Sequence, residues 1–179
     1  MDKDIFTVFS YQDGTIKKAI RSLKYAHNKP IAKVLARILY DFMLEEIYDL
    51  NTFWQSDTME KPLLIPTPIS NKRLKERGYN QVELITKELS FIDNAQSFIE
   101  KTNVLYKIED TPSQVSIRDR KKRLVNLSEC FDVRNKESIK KRNIILVDDI
   151  TTTGATLKEA SSALLKAGAN KILCFTIAH

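Results

Sequence analysis

Residues 143–157 read NIILVDDITTTGATL, and the reading of this stretch decides the fold. Ile144 to Val147 form a continuous apolar run, as a strand covered on both faces requires. Asp148 and Asp149 stand at its end, followed by a hydroxyl-rich turn, Thr151-Thr152-Thr153-Gly154-Ala155-Thr156. The apolar spacing beyond predicts a helix over 155–166, with Gly168 as its C-terminal stop. Backbone N–H groups of such a turn point outward together, and the helix end adds partial positive charge, so the segment is a nest for a phosphate. Thr152 and Thr156 offer hydroxyl donors, and Gly154 lets the backbone come close. Two carboxylates are poor neighbours for that phosphate unless they serve another group. Ribose hydroxyls one sugar away, or a Mg²⁺ ion and its waters, would fit. The spacing is therefore compatible with a ribose 5-phosphate. A generic strand–turn–helix with an Asp or Thr cap is the plainer reading, but a cap needs neither paired acids nor this hydroxyl pattern.

Outward from this stretch, short apolar strands alternate with helical patterns. Residues 5–11 are extended, and Asp13-Gly14 signals a turn. Ile16, Ala19, Ile20 and Leu23 then recur at helical spacing, with Lys17, Lys18, Arg21 and Lys24 assigned to the opposite, solvated face. Pro30 opens a second helix, for which a buried stripe of Ile31, Val34, Leu35, Ile38, Leu39 and Phe42 is expected. Residues 51–61 connect it to a strand, Leu63-Leu64-Ile65, that runs into the loop Pro66-Thr67-Pro68. A helix is predicted over about 80–89, with further strands at 104–106, 131–133 and 172–177. Residues 109–130 form a long, strongly basic excursion. This alternation predicts an α/β domain on a central parallel β-sheet flanked by helices. Right-handed crossovers cover both faces, and ligands bind beyond the C-terminal strand ends.

Composition sets the outer limits. The chain has 179 residues, 42% apolar and 29% charged, with mean hydropathy −0.30; that is a globular composition with enough chain for a real core. No apolar run approaches the ~20 residues of a membrane-spanning helix. The polar start argues against a secretory signal, and two distant cysteines without a CxxC make a reduced, cytoplasmic setting the default expectation. Cys130 and Cys174 lie far apart, which excludes a four-cysteine zinc ribbon and disfavours a disulfide framework; Cys174 reads as a buried small hydrophobe. The glycines are too scattered for GxGxxG or GxxxxGK[ST] loops. Net charge is +6, compatible with phosphorylated small molecules, nucleic acid, or a solvated basic surface. His27 and His179 are the two histidines, read as bystanders. Tyr25, Tyr79 and Phe131 adjoin basic residues and are open either to base stacking or to core packing.

ILVDDITTTGATL resembles the phosphoribosyl pyrophosphate (PRPP) motif of type I phosphoribosyltransferases. Three further segments are similar to the ComF group of that family. They are Tyr11-x-x-Gly14 with Ile20-Arg21-x-Leu23-Lys24-Tyr25, then residues 66–81 (PTPISNKRLKERGYNQ), then Pro112-x-Gln114 with Arg118 to Arg123, Asn126-Leu127 and Phe131. ComF proteins commonly carry an N-terminal zinc ribbon, which this sequence lacks. The resemblance implies a type I phosphoribosyltransferase fold with a flexible hood loop. It also implies a helical flank or hood over 1–60, a core over 61–179, and one compact domain in all. Asp148 and Asp149 would hold the ribose diol as catalytic acids and, through water, a Mg²⁺ ion. Thr151, Thr152, Thr153, Gly154, Ala155 and Thr156 would wrap the 5-phosphate. Thr67, Pro68 and Ile69, with Arg73 and Arg77 behind them, would take pyrophosphate; a solvated helix face also accounts for the two arginines. Gln114, Arg118, Arg120, Lys121, Lys122 and Arg123 would belong to the hood, neutralising pyrophosphate or contacting a nucleic-acid backbone, or remain an exposed charge run. Lys24 would reach the substrate side. The implied function is PRPP binding in natural competence and DNA uptake, with Mg²⁺-dependent phosphoribosyl transfer and pyrophosphate release. Two alternatives stand beside it: a non-catalytic, PRPP-dependent module for single-stranded DNA or competence proteins, and a nucleobase-salvage phosphoribosyltransferase. The acceptor and the oligomeric state are open.

Overall fold

The computed structural model describes residues 4–25, 28–49, 60–94, 96–108 and 130–179. The excursion at 109–129, with Gln114, Arg118, Arg120, Lys121, Lys122 and Arg123, lies outside the described residues, as do His27 and the connection at 51–59. In chain order the elements are β1 (Ile5–Phe9), α1 (Gly14–Tyr25), α2 (Lys29–Asp49), β2 (Leu63–Pro66), α3 (Asn71–Arg77) and α4 (Gln81–Ile92). After them come β3 (Ile99–Glu100), β4 (Leu105–Lys107), β5 (Phe131–Val133), β6 (Ile144–Ile150), α5 (Ala155–Lys166) and β7 (Ile172–Ala178), with a 3-10 turn at Lys136–Ile139 before β6.

Five strands form one parallel sheet in the order β1-β7-β6-β2-β3. β6 is central, and its alternation divides the core. Ile145 and Val147 face the layer built from α1, α2 and α4, while Ile144 and Leu146 face α5. Both sets are fully buried, which is why the strand reads as an unbroken apolar run. Residues before 60 contribute β1, paired to β7, and two helices to the first of these layers, so residues on both sides of position 60 share a core.

Local chemistry sets the ends of the elements. Asp13 caps α1, its Oδ1 accepting from the N–H groups of Thr15 (2.7 Å) and Ile16 (3.1 Å). α5 closes with the N–H of Gly168 on the carbonyl of Leu165 (2.9 Å) and that of Ala169 on Leu164 (3.1 Å). Gly168 sits at φ 101°, the left-handed stop expected there.

Two expectations change and one alternative closes. Val34 is 60% exposed and Ile38 is exposed too, because the inward stripe of α2 is instead Ala32, Leu35, Ala36, Leu39, Tyr40, Met43 and Ile47. The small alanines let α2 approach its neighbours, and at 100° per residue they turn Val34 to the far side. The strand candidates near 104 and 131 do not join the parallel sheet: β4 and β5 pair antiparallel with each other, as two strands flanking one excursion can. Phe131 is buried in the core beside α5, so core packing, not stacking, is its role.

Candidate functional site

β2, β6 and β7 end side by side, and the candidate residues collect at their carboxyl ends. The N–H of Thr67 bonds the carbonyl of Val147 (2.9 Å), and that of Thr151 bonds Ala178 (3.0 Å). The backbone of His179 bonds Phe9 and Tyr11 (2.9 and 2.6 Å). Both acids are still within β6, so their side chains leave opposite faces of the sheet. Asp149 turns toward α1 and α4, Asp148 toward the α5 side.

Asp149 is 4% exposed. Its Oδ2 lies 2.8 Å from Nζ of Lys24 and accepts from Nε2 of Gln81 at 3.1 Å. Lys24 therefore departs from the solvated face assigned to it. Asp148 has its Oδ1 on the N–H of Asp149 at 2.8 Å and receives the hydroxyl of Thr67. Burial, and then the charge of Asp149, pushes the Asp148 carboxyl up to about 7. Thr67, Lys24 and the Asp149 N–H oppose that rise but do not cancel it.

The turn after β6 is more open. Thr151 and Gly154 are buried, whereas Thr152, Thr153, Ala155 and Thr156 are exposed. Gly154 is the residue that starts α5, at φ 75°. A Cβ there would stand 3.1 Å from Cδ1 of Ile5, so both conformation and space call for glycine. A cavity of about 540 Å³ adjoins the turn, lined by Thr151 to Gly154 with Ile5, Lys158 and His179. Lys158 is a residue the sequence reading missed, although its place one turn into a helix after a phosphate-type loop is a usable signal. His179, read as a bystander, borders the same cavity.

The two arginines of the β2 loop part company. Arg73 is exposed, its backbone N–H capped by Ser70 Oγ (3.3 Å). Arg77 is 8% exposed: Nη1 donates to Oε1 of Gln81 at 2.9 Å, and the guanidinium stands over the Tyr25 ring, 5.0 Å from its centroid. The rest of the RGYNQ segment at 77–81 works in the same direction. Gly78 ends α3 at φ 75°, Tyr79 donates its hydroxyl to the carbonyl of Leu23, and Asn80 donates to the carbonyl of Thr67 at 3.0 Å. Asn80 also caps α4 through the N–H of Val82 (3.0 Å). One short segment thus clamps the last turn of α1, the β2 loop and the acid end of β6 together. Tyr25 itself is 68% exposed, one edge of this assembly left to solvent.

Asp148 and Asp149 are the carboxylates that could meet a cation here, one of them already ion-paired, and no group of three or more His, Cys, Asp or Glu that could hold a metal lies among the described residues. No helix among the described residues is long and apolar enough to cross a membrane.

Residues 77–179 match the family model described as phosphoribosyl transferase domain. The chain is similar to Competence protein ComFC of Bacillus subtilis, 32% identical over 174 residues that cover 93% of this chain and 66% of that protein. It is also similar to Competence protein F of Haemophilus influenzae, 31% identical over 164 residues that cover 89% and 66%. The chain thus spans just under two thirds of the length of these curated relatives. Among solved structures, the glutamine PRPP amidotransferase of B. subtilis complexed with ADP and GMP aligns at TM-score 0.47 and 14% identity, over 81% of this chain and 25% of that one.

Proposed function

We infer the function from one premise: this chain belongs to the phosphoribosyl transferase domain family, on its ComF-like branch. We propose that it binds PRPP beyond the carboxyl ends of β2, β6 and β7, and that it serves natural competence and DNA uptake. The competence role is supported by the similarity to Competence protein ComFC and Competence protein F. The observation that carries the binding role is the acid pair at the end of the central strand, followed by an open threonine turn that enters α5 through a left-handed glycine.

In this reading Asp148 and Asp149 hold the ribose hydroxyls and, through water, Mg²⁺. Thr151 to Thr156 present backbone N–H and hydroxyl donors to the 5-phosphate, with the positive end of α5 behind them. Thr67, Pro68 and Ile69 border the pyrophosphate side, with Arg73 free to turn toward it. Lys158 adds positive charge to the phosphate cavity. When bound, Mg²⁺ supplies charge neutralisation for departing pyrophosphate. Phosphoribosyl transfer then requires little acid–base work from the protein, because positive charge builds on the ribose ring and the task is electrostatic.

PRPP with Mg²⁺ is expected to raise the melting temperature of the full chain in a concentration-dependent way, and Asp149→Asn and Thr152→Val each to remove that shift. A wild-type chain with no shift, or a shift that survives both substitutions, sinks the reading. Pyrophosphate release in a screen of acceptors would add turnover. Release with a nucleobase would favour salvage, and binding without release would favour PRPP as a structural ligand.

A further inference from the structure

Lys24 precedes the residues that match the family model, yet its ammonium lies 2.8 Å from Oδ2 of Asp149. The side chains are 17% and 6% exposed. Lys17, Lys18 and Arg21 are exposed, whereas Lys24 stands one turn after the buried Ile20, at the edge of the apolar stripe. It faces inward because the turn that carries it is clamped on both sides. The carbonyl of Leu23 takes the Tyr79 hydroxyl, the Tyr25 ring lies under the Arg77 guanidinium, and the Leu23 side chain is fully buried. A long, flexible side chain on a free surface pays entropy to hold one geometry; here the backbone is already held.

Two adjacent carboxylates repel the phosphates of any sugar phosphate that approaches them. That repulsion is countered either by a divalent cation arriving with the ligand or by a cation fixed in the protein. Lys24 is such a cation. It shares Oδ2 of Asp149 with the Gln81 amide, and Gln81 is oriented by accepting from Arg77. Both the charge and the rotamer of Asp149 are therefore set from α1 and α4.

We propose that Lys24 is a positioning residue that acts as a built-in counter-cation for Asp149, allowing the site to hold a ribose phosphate with little help from divalent metal. The proposal rests on the reading of the site as one for ribose phosphates and adds a residue and a metal dependence to it.

The test is calorimetric titration of the full chain with ribose 5-phosphate, in EDTA and in excess Mg²⁺, for the wild type, Lys24→Met and Lys24→Arg. Ligand-free melting temperatures establish that each variant is folded, and Lys24→Gln replaces the methionine variant if that one is not. In EDTA, Lys24→Met is expected to weaken binding about tenfold or more, in line with removal of one partner from a desolvated charge pair. In Mg²⁺ the loss should shrink to about threefold or less, since the metal supplies the missing charge, and Lys24→Arg should behave as the wild type. A merely structural role for Lys24 would give equal losses in the two conditions. Equal losses, or none, overturn the proposal. A wild-type chain that binds PRPP with Mg²⁺ but no metal-free ribose 5-phosphate overturns the counter-cation role alone. A chain that binds neither overturns the site reading with it.

Discussion

Gln81 donates to Asp149 across 3.1 Å, joining the first residue of α4 to the end of β6, 68 positions away in the chain. The same amide accepts from Arg77 at 2.9 Å, so a buried guanidinium, a buried amide and a buried carboxylate stand in series. Series of this kind are costly to break, because each member is the other's replacement for water.

Gln81→Ala should therefore destabilise the chain by about 1–3 kcal/mol, the range for leaving buried polar partners unsatisfied. Arg73→Ala, on the exposed face of α3, should stay within about 0.5 kcal/mol of the wild type. Urea denaturation of the two variants checks the contrast, and equal effects would refute it.

Tyr79→Phe keeps the ring and removes the hydroxyl that the Leu23 carbonyl accepts. A loss of about 1 kcal/mol is expected, and with it faster amide hydrogen exchange in the last turn of α1. Exchange that accelerates elsewhere but leaves residues 21–25 unchanged would show that the clamp lies in other contacts.

Gly154→Ala places a Cβ at a left-handed φ of 75° and 3.1 Å from Ile5 Cδ1. The cost should be about 1–2 kcal/mol from conformation alone, and the change should also displace the threonine turn. Gly14→Ala is the control: nothing lies within 4 Å of its added Cβ, and a helical position of that kind gains roughly 0.4–1 kcal/mol. Thermal melts should move in opposite directions, and a neutral Gly154→Ala would contradict the strain argument.

The pH dependence follows from Asp148. Its carboxyl is raised from 3.8 to about 7 in the fold, by burial first and the Asp149 charge second. Between those values the native state holds a proton that the unfolded chain has lost, so stability from this group falls as pH rises through that window and is level above it. Denaturation from pH 4 to 8 should show Asp148→Asn gaining on the wild type as pH rises. A difference between the two that is constant, or that shrinks with rising pH, would show the carboxyl is not raised.

Within 143–157 the strand and the helix that follows it read correctly from sequence because their signals are local: an apolar run and a helical period. The parallel sheet follows from the alternation of elements, and the helix end at Gly168 follows from capping chemistry. The errors are of a different kind. Val34 and Ile38 look as buried as Leu35 and Leu39, and only the neighbours of α2 choose which side faces in. The strands at 105 and 131 carry no mark of the sheet they join, because three residues are too few to specify one.

Lys24 shows most sharply where local reading ends. Amphipathic spacing groups it with Lys17, Lys18 and Arg21 on the solvated face, the family resemblance sends it to the substrate side without a partner, and residue order makes Arg73 and Arg77 a matched pair. Folding turns Lys24 inward onto Asp149 and separates the arginines, one into water and one onto the face of the Tyr25 ring. Charge, size and periodicity are properties of a residue and its near neighbours, so they are written in the chain. Which carboxylate a lysine meets depends on the docking of α1 against α4 and β6, and that distance exists only once the sheet and its helices have packed.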